Sequence, residues 1–211
     1  MKLKVSDKVG SVTAEITEPK KMKTIFTFAH GAGAPMNHPF MKSISKELES
    51  LGIGTMRFNF PYMENKKGRP DVPAVAHQTI EAAANWLNKE YPKTPLFLSG
   101  KSFGGRMSSQ YLAKNNPDFV KGVAFYGFPL HAPGQASTDR ADHLKDIKAP
   151  LLFLQGTRDS LAQWDLIESV TKGLPKATLI KFEGADHSFK AGKKNILPDL
   201  AQAVAEWVTT L

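Results

Sequence analysis

The chain contains no cysteine. That excludes a disulfide framework, a cysteine-ligated zinc or iron–sulfur centre and a thiol nucleophile. It also lacks an apolar run approaching the roughly 18 residues of a membrane span. Its first residues, MKLKVSDKVGSVTAEITEP, alternate charged and β-branched positions without the apolar block of a secretory leader. No membrane partner is expected, and the cytoplasm is the expected compartment. Internal repeats, low-complexity tracts and linker-like composition breaks are missing as well. A chain of 211 residues is long enough to bury a sizeable core without a structural metal. One domain over residues 1–211 is therefore expected.

Acidic residues are the scarcer charge: 20 Asp and Glu against 28 Lys and Arg, a formal charge of +8. A basic surface can attract nucleic acid or acidic ligands. Here the cations fall in short, dispersed groups: Lys20, Lys21 and Lys23; Lys66, Lys67 and Arg69; Lys190, Lys193 and Lys194. No basic helix, zinc-finger spacing or aromatic RNA-binding signature accompanies them. A solvated basic surface without a specific nucleic-acid partner is the expectation.

What the chain does have is a short apolar run, repeatedly followed by a helical pattern. The runs are Thr24–Ala29, Gly54–Phe60, Pro95–Ser99, Val120–Tyr126, Pro150–Gln155 and Ala177–Phe182. Several are apolar on both faces, as strands buried in a parallel sheet are. Between them, Phe40, Ile44, Leu48 and Leu51 mark one helix, with Gly52 as its stop. Val75, Thr79, Ala82, Ala83 and Trp86 mark a second. A third runs from near Phe103 to before Pro117, and a last carries Leu197, Leu200, Val204, Trp207 and Leu211 on one face. This alternation predicts an α/β fold, a mostly parallel sheet with helices on both faces. The first twenty residues are expected to add a strand or hairpin at an antiparallel edge.

One motif carries chemistry. After the run PLFLS come Gly100, Lys101, Ser102, Phe103 and Gly104, and then a helix. This is G-x-S-x-G in a strand–turn–helix context, a nucleophile elbow. Small residues two positions either side of the serine let strand and helix approach closely. The turn lifts the Ser102 hydroxyl above the sheet edge at a helix N-terminus, which favours developing negative charge. A serine nucleophile needs a base, and the base an orienting acid. Asp159 follows the run PLLFLQ and His187 follows the run ATLIKF, so both stand past strand ends, where open α/β sheets place their sites. The order Ser102, Asp159, His187 is the one expected for such an elbow. Asp186 is the rival acid, but adjacency in sequence places it poorly to face the His187 ring.

An oxyanion hole needs two backbone N–H groups. Phe103, next after the serine, supplies one. Ala32, in the small-residue loop His30-Gly31-Ala32-Gly33-Ala34 after the first parallel strand, is the candidate for the other. His30 is expected to brace that loop. His38, His77, His131 and His143 need no catalytic role. No metal or organic cofactor is required.

The segments HGAGAPMNHPFM, RFNFPYME, GKSFGGRM, FYGFPLHAPG, QGTRD and GADHSF resemble an α/β-hydrolase over nearly the whole chain. They are similar to a small, cap-less branch of bacterial predicted hydrolases that also includes the testis-expressed-thirty and KANL-type eukaryotic relatives. The resemblance implies a Ser102/Asp159/His187 triad in a serine esterase or thioesterase acting on a small ester. Some eukaryotic relatives work in protein complexes, so a non-catalytic binding or scaffold module is the alternative. Only about twenty residues, Gly127 to Ile147, stand where many esterases insert a helical lid, so an open site is expected. Met36, Tyr62, Met63, Phe128 and Trp164 are its candidate substrate walls.

Overall fold

All six apolar runs form strands, and the N-terminal arm supplies two more. The computed structural model describes residues 1–211. Its strands are β1 (Lys2–Ser6), β2 (Gly10–Thr17), β3 (Thr24–Ala29), β4 (Ile53–Phe58), β5 (Leu96–Lys101), β6 (Val120–Tyr126), β7 (Leu151–Gly156) and β8 (Ala177–Phe182). They form one eight-stranded sheet in the order β1-β2-β4-β3-β5-β6-β7-β8. β1 pairs antiparallel with β2, and β2 with β4. Every other pairing is parallel. The N-terminal hairpin thus forms the antiparallel edge that the alternating first residues suggest.

The helices are α1 (Pro39–Ser50), α2 (Pro61–Glu64), α3 (Pro73–Glu90), α4 (Phe103–Asn115), α5 (Trp164–Lys172) and α6 (Leu197–Thr209). A helix stripe buries one face against the sheet, and two apolar cores result. On one face, α1 and α6 pack together over Phe26, Phe28, Phe97 and Leu152, with Trp207 edge-on to Phe97 at 5.6 Å. On the other, α3 and α4 cover Ile25, Leu98, Phe125 and Phe153. α1 starts cleanly because Pro39 needs no donor at its first turn and the His38 side chain accepts from the Phe40 N–H at 3.3 Å.

Local patterning misjudged the rotation of α3. Its buried residues are Ala76, His77, Thr79, Ile80, Ala83, Ala84 and Leu87. Ala82 and Trp86 sit at the margin, Trp86 against Tyr91, because α3 must meet the sheet and α4 at once. Leu211 lies beyond the end of α6 and is exposed. The connection between β6 and β7 holds only a 3₁₀ segment, Asp139–Asp146, so no helical lid covers the sheet edge.

Candidate active site

At the end of β5 the chain turns sharply into α4. Ser102, between them, has φ 50° and ψ −115°, a conformation outside the wells open to most L-residues. The glycines around it permit the approach. A Cβ on Gly100 would lie 2.3 Å from the Gly105 nitrogen, and one on Gly104 would lie 2.4 Å from the Ala29 carbonyl oxygen. Only a hydrogen fits in either place.

Two loops bring partners to this serine. His187, after β8, has Nε2 2.9 Å from Ser102 Oγ and Nδ1 2.7 Å from Asp159 Oδ2. With Nδ1–H donating to the carboxylate, Nε2 keeps its lone pair and accepts the Ser102 O–H. Asp159, after β7, is almost wholly enclosed: its side chain is 1% exposed, against 23% for His187. Its Oδ2 also accepts from Gln155 Nε2 at 2.6 Å, and its Oδ1 from the Leu161 N–H at 2.8 Å. Asp186 does not touch the imidazole. Its Oδ1 instead accepts the N–H groups of Ser188 and Lys190, closing the tight turn that carries His187.

The third component is the loop after β3. Phe103, first residue of α4, has no intrahelical carbonyl for its N–H. The Ala32 N–H likewise makes no internal hydrogen bond. Both Ala32 and Ser102 border a cleft of about 360 Å³, together with Gly33, Phe40, Met41 and Leu161. His30 stands beneath the loop, donating from Nδ1 to the Gly31 carbonyl at 2.8 Å and accepting the Phe60 N–H at Nε2 at 3.0 Å. Burial lowers its pKa to about 4, so it stays neutral in this bracing role.

A model of the alpha/beta hydrolase domain matches residues 22–209. The chain belongs to the alpha/beta hydrolase family. Similar folds include an alpha-beta serine hydrolase homologue from Coxiella burnetii, at 22% identity, 99% of this chain, 97% of that one and TM-score 0.79. Dienelactone hydrolase from Anabaena variabilis aligns at 20% identity over 100% and 95%, with TM-score 0.79. A serine hydrolase without a lid from Xanthomonas campestris aligns at 21% identity over 100% and 94%, with TM-score 0.77. At these identities the likeness establishes the fold. Two Mycobacterium tuberculosis proteins, provisionally named phosphoribosyl transferases, are 26% identical over 204 residues, 93% of this chain. The chain spans 43% of their length.

None of the five residues expected as substrate walls borders the cleft of this alpha/beta hydrolase domain. Met36, Tyr62 and Phe128 are buried. Met36 is held through its backbone, its N–H donating to Asn59 and its carbonyl accepting from Arg57. Tyr62 lies under the Ala32 loop and donates its hydroxyl to the Ala32 carbonyl at 2.7 Å. Phe128 packs edge-on against Phe125 and Phe153. Met63 and Trp164 pack against the same core. The chain turns inward there, and large apolar groups follow the inner face.

The true lining comes chiefly from α1 and the loop before it, whose Phe40 read as a core position in the helical pattern. Gln155 was also missed. It bridges Asp159 to the Phe128 N–H through its two amide ends. Its one sequence signal was a lone polar residue ending an apolar strand four positions before an aspartate.

Proposed function

We propose that this protein is a serine hydrolase of the small cap-less branch that its motifs resemble, acting through one catalytic domain on a small acyl ester or thioester. The observation that carries this reading is the unbroken relay from buried Asp159 through His187 to Ser102, on a strained elbow at the cleft floor. Ser102 is the nucleophile, His187 the general base and Asp159 the orienting acid.

As Oγ attacks the carbonyl carbon, His187 Nε2 takes its proton, and the Asp159 carboxylate stabilises the imidazolium. The Ala32 and Phe103 N–H groups hold the oxyanion. Collapse expels the alcohol or thiol, protonated by His187, and leaves an acyl-enzyme. Water, deprotonated by His187, then attacks that ester and releases the acid. An open cleft of about 360 Å³ with apolar Phe40, Met41 and Leu161 suits short acyl groups.

A fluorophosphonate probe and a series of p-nitrophenyl and CoA esters of increasing chain length test the reading. Adduct formation at Ser102 is expected, with turnover highest for short chains. Ser102→Ala is expected to remove nearly all turnover while the melting temperature barely changes. A wild-type chain that takes no adduct and turns over no ester would be a binding scaffold.

A further inference from the structure

Lys101 stands one residue before the serine, and the triad reading gives it no task. Its side chain is half-buried and borders the cleft, and its ammonium turns to the His187 loop. There Nζ donates to the His187 backbone carbonyl at 2.5 Å. It also lies 5.3 Å from the ring centre of Phe189 and 5.9 Å from that of Phe40. Those two rings stack on each other at 5.8 Å, and their faces attract a cation. Nζ is close to the relay as well. The point a Cβ would occupy on Gly127 is 3.2 Å from Nζ, 3.4 Å from Asp159 Oδ2 and 3.5 Å from His187 Cε1. A lysine ammonium seldom loses its water for packing alone.

We propose that Lys101 is a positioning residue of the site: its ammonium anchors the His187 backbone from within the elbow and so holds the imidazole in line between Asp159 and Ser102. The proposal deepens the serine-hydrolase reading and rests on it for the effect on catalysis. The anchor matters because the His187 turn contains Phe189 at φ 62°, a strained position that surrounding contacts must hold. Burial lowers the Lys101 pKa to about 8, opposed by Asp159 and Asp186, so it is mostly protonated at neutral pH.

Lys101→Met keeps an unbranched side chain, one atom shorter, and removes its charge. The His187 Nδ1–H proton, hydrogen-bonded to Asp159, is followed by NMR, and kcat and KM are measured on a short-chain ester. In Lys101→Met that proton signal should broaden or be lost to exchange with water, since the turn that carries the ring is no longer tied to the elbow. The kcat should fall about 10- to 100-fold with KM within about threefold, as loss of geometry in the transition state predicts.

Because the chain has no cysteine, Lys101→Cys offers a unique thiol. Aminoethylation in denaturant followed by refolding restores an ammonium, and should restore kcat and the Nδ1–H signal together. An unchanged His187 Nδ1–H signal in Lys101→Met overturns the proposal, as does an aminoethylated chain that folds without recovery. That signal is read without turnover, so a wild type inert to fluorophosphonate sinks the hydrolase reading alone.

Discussion

Asp159 and Asp186 approach His187 from opposite sides of the chemistry. The first accepts the ring N–H, and the second accepts backbone N–H groups of the turn. Replacing Asp159 by its amide presents a donor where an acceptor is needed and favours the wrong imidazole tautomer. Asp159→Asn should lower kcat by about 10²–10⁴-fold. Asp186→Asn keeps an acceptor oxygen and should lose no more than about 10-fold, with both variants measured on one ester beside a thermal melt. The reverse ranking would identify Asp186 as the acid.

Tyr62 poses a parallel question. Its hydroxyl supports the Ala32 carbonyl, and burial beside Asp71 raises its pKa to about 12. Tyr62→Phe should reduce kcat about 3- to 10-fold by loosening the loop, with KM nearly constant. A selective rise in KM would instead restore Tyr62 to the substrate wall.

At the scale of elements, the site depends on how closely α4 approaches β3 and β5. A Cβ on Gly104 would lie 2.4 Å from the Ala29 carbonyl oxygen and 2.6 Å from that of His30. The helix must then retreat and carry the elbow with it. Gly104→Ala is expected to destabilise the fold by more than about 3 kcal/mol, as overpacking against rigid backbone does. Gly33→Ala, where nothing lies within 4 Å, should stay within about 0.5 kcal/mol of wild type. Urea unfolding of both variants tests the contrast, and equal losses would mean that the elbow tolerates a side chain. The same elements explain why four strand ends converge. The loops after β3, β5, β7 and β8 all leave the sheet at its carboxyl edge, and strand order brings them together.

For the whole molecule, buried histidines set the acid limit of stability. Burial holds His30 and His143 near pKa 4, with Arg106 adding to the effect on His143. Above pH 6.5 both are neutral whether the chain is folded or not. Between pH 6.5 and about 4 the unfolded chain binds protons that the native state refuses, so stability falls as pH drops. For His30 alone the loss is on the order of 3 kcal/mol across that window. Denaturant unfolding at pH 7, 5.5 and 4 should show this decline, with a shallower slope in His143→Gln. A flat profile would mean that the histidines are protonated in the folded protein. The positive charge of +8 acts on association with polyanions through a screened field rather than on the fold.

The alternation of apolar runs and helical stripes is local information. It was enough to place all six principal strands, the edge hairpin and four of the helices, because burial on two faces requires two-sided apolar strands. The elbow was equally legible, since Gly100, Ser102 and Gly104 fall within five consecutive residues and their spacing answers to a steric demand. Asp159 and His187 could be nominated from strand ends, but their meeting with Ser102 is a product of strand order. Three parts were decided only in three dimensions. The walls of the cleft depended on which way large side chains turned at strand ends, and burial took Tyr62 and Phe128 inward while leaving Phe40 at the rim. Gln155 acquired its place through a carboxylate and an amide that lie on different segments. Lys101 reads as an ordinary elbow residue in the sequence. Its ammonium gains a buried partner only when the His187 turn, 86 residues away, closes over it.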